Sequence, residues 1–218
     1  MASKPGERKL QILQTVAHML EQPKGEKITT AALAARLELS EAALYRHFAS
    51  KAQMFEGLIE FIEQTVFGLV NKITQEEKSG LKQAEAIVSM LLGFAQKNRG
   101  MTRVLIGDAL VNEDERLQLR INQLLDRIEA TLKQSLRMAV TQGEMGEAVG
   151  GKAQDVSVSG TGVPPVSPSR TVSGEDISAH ANVLLCFVIG RWLQFGKSGF
   201  TREPLAQWPA QSAVLLDK

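Results

Sequence analysis

Apolar positions along the first 75 residues recur at intervals of three and four, with polar positions between them. In residues 7–20 the apolar set is Leu10, Leu13, Val16, Ala17 and Leu20, which share one side of a helix. Pro23 and Gly25 end it. Thr29 or Thr30 caps a second, short helix that buries Leu33, Ala34 and Leu37. Ser40 caps a third, anchored by Leu44 and Phe48 four residues apart. Ser50 opens a longer fourth helix with Phe55, Leu58, Ile59, Ile62, Val66, Leu69, Val70 and Ile73 on its apolar side.

Beyond Ser79 and Gly80 the segment LKQAEAIVSMLLGFAQKN is apolar on nearly every side around residues 87–94, the mark of a helix wrapped by others. A long amphipathic helix is predicted over residues 112–142, with Leu117, Ile121, Leu124, Leu125, Ile128, Leu132 and Leu136 in one stripe. Two more are predicted over 176–196 and 205–216. No segment reads as a strand, so the expected fold class is all-α. Residues 143–174, which include SVSGTGVPPVSPSR, break the pattern. They hold too few large apolar side chains to offset their ordering entropy and read as a flexible insertion. Residues 163–168 of it are either a plain linker or a polyproline ligand. Gly160 and Gly162 do not open a dinucleotide-binding loop, because Pro165 holds the sixth position and no strand precedes them.

Charge adds little for the whole chain, which is +1, but residues 1–51 carry eight Lys or Arg against five Glu. That local excess suits an anionic partner. The single cysteine, Cys186, has no partner for an intramolecular disulfide and fits a reducing cytosol; its setting, VLLCFVI, predicts a buried thiol. No secretory leader is evident, and the longest apolar run, 183–189, is far short of the ~20 residues that cross a bilayer. A cytoplasmic protein without membrane attachment is expected. His18, His47 and His180 lack ligand-like spacing to Cys186, so neither metal nor cofactor is expected. No nucleophile–base pair, carboxylate pair or phosphate loop suggests an enzyme.

The most informative stretch is 28–51, ITTAALAARLELSEAALYRHFASK. Two short helices with a tight turn, braced by a first and a fourth helix, form either a helix-turn-helix or a plain helical hairpin. In a helix-turn-helix the second short helix enters the major groove and its first residues meet base edges. The residues Ile28-Thr29, Leu33-Ala34, Leu39-Ser40, Leu44-Tyr45-Arg46-His47-Phe48 and Lys51 resemble the DNA-binding domain of the TetR family. The resemblance implies a TetR-like all-α dimer: a DNA-binding domain over 1–51 and a C-terminal helical domain over 52–142 and 175–218, with 143–174 inserted. It implies phosphate contacts from Thr29, Tyr45, His47 and Lys51, with Arg46 and Lys27 as further partners. Base readout would fall to Ser40, Glu41, Ala42 and Ala43. The alternative for Tyr45 is a buried tyrosine with a bonded hydroxyl. One departure is Glu38-Leu39, where the family commonly has Gly-Val; a left-handed backbone there costs a side-chain-bearing residue roughly 1–2 kcal/mol.

The segments SEAALYRHF, SKAQMFEGLIEFIE, LLGFAQKNRGMTRVLIGDAL and RLQLRINQLLDRIEATL are similar to one branch of that family, the nucleoid occlusion factors. The branch implies homodimers at dispersed palindromic sites on double-stranded DNA, nucleoid-associated, that disrupt polymers of the tubulin-like division protein FtsZ. It also implies FtsZ contacts at Phe61, Met90, Gly93, Lys97 and Asn98, with Leu69 standing where an Arg is typical. From the residues alone, Phe61 is either an exposed anchor or a core aromatic. Gly93 hints at close approach by another backbone, in the chain or from a partner. The last two helices, with Phe187, Trp192, Phe195 and Trp208, are expected to form the dimer interface. The competing expectation is a TetR-type transcriptional repressor released by a small ligand.

Overall fold

The computed structural model describes residues 5–22, 28–145 and 173–216, and all regular structure in them is helical. The helices are α1 (Pro5–Leu20), α2 (Thr30–Arg36), α3 (Glu41–Tyr45), α4 (Lys51–Glu76), α5 (Gly80–Lys97), α6 (Arg99–Leu105), α7 (Glu115–Thr141), α8 (Gly174–Lys197) and α9 (Trp208–Leu215). A short 3-10 turn, Asp108–Leu110, precedes α7. Most of the expected insertion (146–172), and Lys27, lie outside the described residues.

Side-chain caps start several of these helices, at Thr29, Ser40 and Ser50 where the sequence places them and also at Ser79. The hydroxyls of Thr29, Ser40, Ser50 and Ser79 accept from the backbone N–H of Ala32, Ala43, Gln53 and Lys82. Ser173 and Asp176 form a reciprocal capping box at α8. The central helix is α5, packed on α4, α7 and α8. Its Ile87, Val88, Leu91, Leu92 and Ala95 are wholly buried, as its all-round apolar sequence requires.

Gln83 and Ser135, enclosed with that core, are satisfied. Gln83 donates to the carbonyls of Thr74 and Glu77 and accepts from the Ser135 hydroxyl, joining α4, α5 and α7. Gln142 and Glu144, just past α7, accept from the N–H groups of Gly80 and Leu81 and so cap α5 from outside. The bond to Ser79, reinforced by that backbone N–H, holds the Glu144 carboxyl below its ordinary pKa.

Among the described residues, close backbone approach occurs at two glycines, neither of them Gly93. A Cβ on Gly80 would sit 2.2 Å from the Ala139 nitrogen, and one on Gly100 would sit 1.8 Å from the Ala17 carbonyl oxygen. Gly100 therefore seats α6 directly on the α1 backbone. At Gly93 a Cβ would meet only Leu205 Cδ1, at 3.5 Å, an ordinary contact.

One further expectation is corrected. Cys186 is exposed, because the turn of α8 sends Leu184, Leu185 and Val188 inward and the thiol outward. Trp192, Phe195 and Trp208 are already buried within the single chain, so they offer no free surface to a second copy. Trp192 Nε1 donates to the Leu91 carbonyl at 3.1 Å, and Phe195 lies edge-on to Phe200. Phe187, tilted against Trp208, is half-buried.

Candidate nucleic-acid interface

Helices α2 and α3 are held together at their buried faces by Leu33, Ala34 and Leu44, with Phe48 closing the end. The turn between them depends on Glu38, whose φ of 54° lies in the left-handed region. The Leu39 N–H reaches back to the Ala34 carbonyl at 2.9 Å and the Glu38 N–H to Ala35 at 3.2 Å, the hydrogen-bond pair of a Schellman ending. The family's glycine would suit that position; here glutamate occupies it at a cost of roughly 1–2 kcal/mol.

That ending turns α3 so that its polar residues face outward. Ser40, Glu41, Ala42, Tyr45 and Arg46 are exposed, Ala43 and His47 half-exposed, and Leu44 between them fully buried. Tyr45, 45% exposed, is not a core tyrosine. Helix α3 is only five residues long, so His47 sits in the turn after it rather than on it. Thr29 is also exposed, and while its oxygen accepts from Ala32 its hydroxyl hydrogen stays free to donate. Glu41 accepts from the Thr30 hydroxyl at 2.7 Å, which ties the start of α3 to the start of α2.

Lys51 is the first residue of α4, where the leading backbone N–H groups have no intrahelical acceptor and the helix dipole is positive. Its ammonium, however, is engaged by Glu113, from the turn preceding α7. Sequence reasoning missed that pairing, which spans 62 positions and has no periodic signal. It also passed over Lys9, whose ammonium lies 5.7 Å from the Phe48 ring centre, beside the end of the α3 unit. The phase of α1, with Leu10 and Leu13 neighbouring that position, could have suggested it.

The positions expected to meet FtsZ lie on helices that pack together. Phe61 of α4 and Met90 of α5 are partly buried against the core, and Lys97 is exposed at the end of α5. Gly93 is half-buried beside Leu205. Asn98 joins α5 to α6, its side chain donating to the Phe94 carbonyl. Leu69 is 40% exposed on α4.

Residues 17–58 match the family described as bacterial regulatory proteins, tetR family, and residues 78–152 match a tetracyclin repressor-like, C-terminal domain of SlmA-like type. Solved structures share the fold. A TetR transcription regulator from Haloarcula marismortui aligns over 97% of both chains with a TM-score of 0.73 at 13% identity. The regulator PfmR from Thermus thermophilus aligns over 95% of this chain and 97% of its own, with a TM-score of 0.69 at 20% identity. The helix-turn-helix and the helices behind it thus define a TetR-family protein. The nucleoid occlusion factor SlmA of Alteromonas mediterranea is 45% identical over 98% of this chain and 96% of its own length. That of a Marinomonas strain is 44% identical over 99% and 96%. The chain belongs to the SlmA family of nucleoid occlusion factors.

Proposed function

We propose that this protein binds double-stranded DNA as a homodimer at dispersed palindromic sites and, while bound, antagonises FtsZ polymers so that division does not occur over the nucleoid. The observation that carries the DNA reading is the single outward face of Ser40, Glu41, Ala42, Tyr45 and Arg46, pinned from behind by buried Leu44 and Phe48. Ser40, Glu41 and Ala42 at the start of α3 meet base edges, while Thr29, Tyr45, Arg46, His47 and Lys51 lie along the phosphates on either side. The similarity to SlmA proteins over nearly the whole length favours division control over ligand-released repression. So does the apolar packing of α5, whose central side chains belong to one continuous buried cluster.

Phe61 and Met90 supply apolar anchor points for the FtsZ segment, and Lys97 a cation at the end of α5. The dimer forms instead through the outward side of α8, where Val183, Cys186 and Leu193 are exposed along one stripe.

Footprinting across the chromosome tests the reading: many scattered sites are expected, and a single promoter would favour a local repressor. Tyr45→Ala should weaken binding to every duplex alike. Lys97→Ala should leave DNA affinity intact while weakening FtsZ antagonism in a sedimentation assay; loss of both together would make Lys97 structural.

A further inference from the structure

Lys51 holds one carboxylate already. Its side chain is 25% exposed and that of Glu113 15%, so the pair is shielded from solvent on most sides. The ammonium also lies 5.7 Å from the Phe55 ring centre. Glu113 is firmly placed: its N–H donates to the Leu110 carbonyl at 3.0 Å, Asn112 before it takes a left-handed φ of 65°, and Asp114 after it caps α7. The two residues border a cleft of about 290 Å³ between the N-terminal helices and the turn before α7, shared with Phe55, Arg103, Asp108 and Asn112.

The same two helices meet again further along. Arg120 of α7 donates to Glu63 at 2.7 Å and to the Glu56 carbonyl at 3.3 Å, both on α4. The Arg127 guanidinium lies 3.8 Å from the Phe67 ring centre. The sequence offset stays near constant, 62 at Lys51–Glu113 and 57 at Glu63–Arg120, so α4 and α7 run parallel in a fixed register. Glu113 is thereby delivered to Lys51 with little further ordering cost.

We propose that Glu113 competes with DNA phosphate for the Lys51 ammonium and so sets the affinity of this protein for DNA. The inference rests on the reading of Lys51 as a phosphate contact. A carboxylate and a phosphodiester both offer anionic oxygens, and a compact ammonium cannot neutralise both at full strength. Binding DNA therefore means loosening a part-buried pair, which is held more firmly than a fully exposed one. Glu113 acts through Lys51 and is a positioning residue, not a phosphate or base contact.

The test uses the full chain and a fluorescein-labelled duplex carrying a site recovered by footprinting. Glu113→Gln keeps the size of the side chain and removes its charge; binding about two- to fivefold tighter is expected at low salt. The same substitution in a Lys51→Met background should change nothing. Unchanged or weaker binding by Glu113→Gln alone would overturn the proposal, since Glu113 would then be neutral or would aim Lys51 at the phosphate. Equal tightening in both backgrounds would overturn it too, by reducing the effect to general charge. Lys51→Met alone separates the two readings: if it leaves affinity and salt slope unchanged, Lys51 is not a phosphate contact and the underlying assignment fails. A thermal melt accompanies each variant. If Glu113→Gln is unfolded at the assay temperature, Glu113→Ala, which also removes the charge, provides the same comparison.

Discussion

Glu38 bears a cost that its family position usually avoids. With φ at 54°, its Cβ crowds the backbone at the turn that aims α3. Glu38→Gly relieves the clash, partly offset by the greater freedom of glycine in the unfolded chain, and should raise stability by about 1 kcal/mol in urea denaturation. An unchanged midpoint would mean that the Schellman bonds already absorb the strain. This position was legible in advance, because the departure from Gly-Val and the short link between two helix patterns both fall on it. The caps at Ser40 and Ser50 were legible for a similar reason: a hydroxyl directly before an apolar repeat has few other roles. Cys186 was not. In a run as uniformly apolar as VLLCFVI no contrast marks the outward side, and only the neighbouring helices decide which residues remain exposed. Lys51 carries the opposite lesson, since the family resemblance implies a phosphate contact there while its carboxylate partner comes from another part of the chain.

Helix by helix, the long apolar-patterned stretches of α1, α4, α5, α7 and α8 were set by the sequence to within a few residues. Helix α6 was missed. It is seven residues long, and Asn98 gives it no side-chain cap, so RGMTRVL has neither the length nor the start signal of a helix. Its position is fixed by packing, through Gly100 against α1. Gly100→Ala would drive a methyl group into the Ala17 carbonyl, and about 1–3 kcal/mol of stability should be lost as the two helices separate. Hydrogen exchange should then show α1 amides opening more readily. The start of α5 makes a pH-dependent contribution. The Glu144 carboxyl, bonded to Ser79 and to the Leu81 N–H, has a lowered pKa. Its stabilising effect is therefore present at neutral pH, begins to fall as pH drops through the unfolded value near 4.5, and vanishes below the folded value. Glu144→Gln should lose part of the acid sensitivity of the melting temperature, and a variant with an unaltered pH profile would exclude Glu144 as a source of it.

For the assembled molecule, size misled where phase informs. Large aromatics near the C-terminus suggested a subunit interface, yet Trp192, Phe195 and Trp208 complete the core of one chain. Inward turns of α8 carry Trp192 and Phe195, and α9 carries Trp208, so the opposite side of α8 is left to face outward. There Val183 is 50% exposed and Leu193 44%, with Cys186 between them. Near that side Ile189 and Gly190 are half-buried, and a Cβ on Gly190 would meet nothing within 4 Å. An apolar stripe with room for close helix approach suits a two-fold contact in which α8 packs against its own copy. Such a dimer presents two α3 helices to half-sites about 34–36 Å apart, or a multiple of that. Val183→Glu combined with Leu193→Glu places like charges across the axis without touching the helix-turn-helix. The double variant should sediment as a monomer. Its affinity for a palindrome should fall toward that for a single half-site, while its circular dichroism stays that of the parent. In the parent, Cys186 should be slow to react with a maleimide, and in the monomeric variant fast. A double variant that remains a dimer, with Cys186 equally reactive in both, would move the two-fold axis off α8 and leave that stripe without a role in assembly.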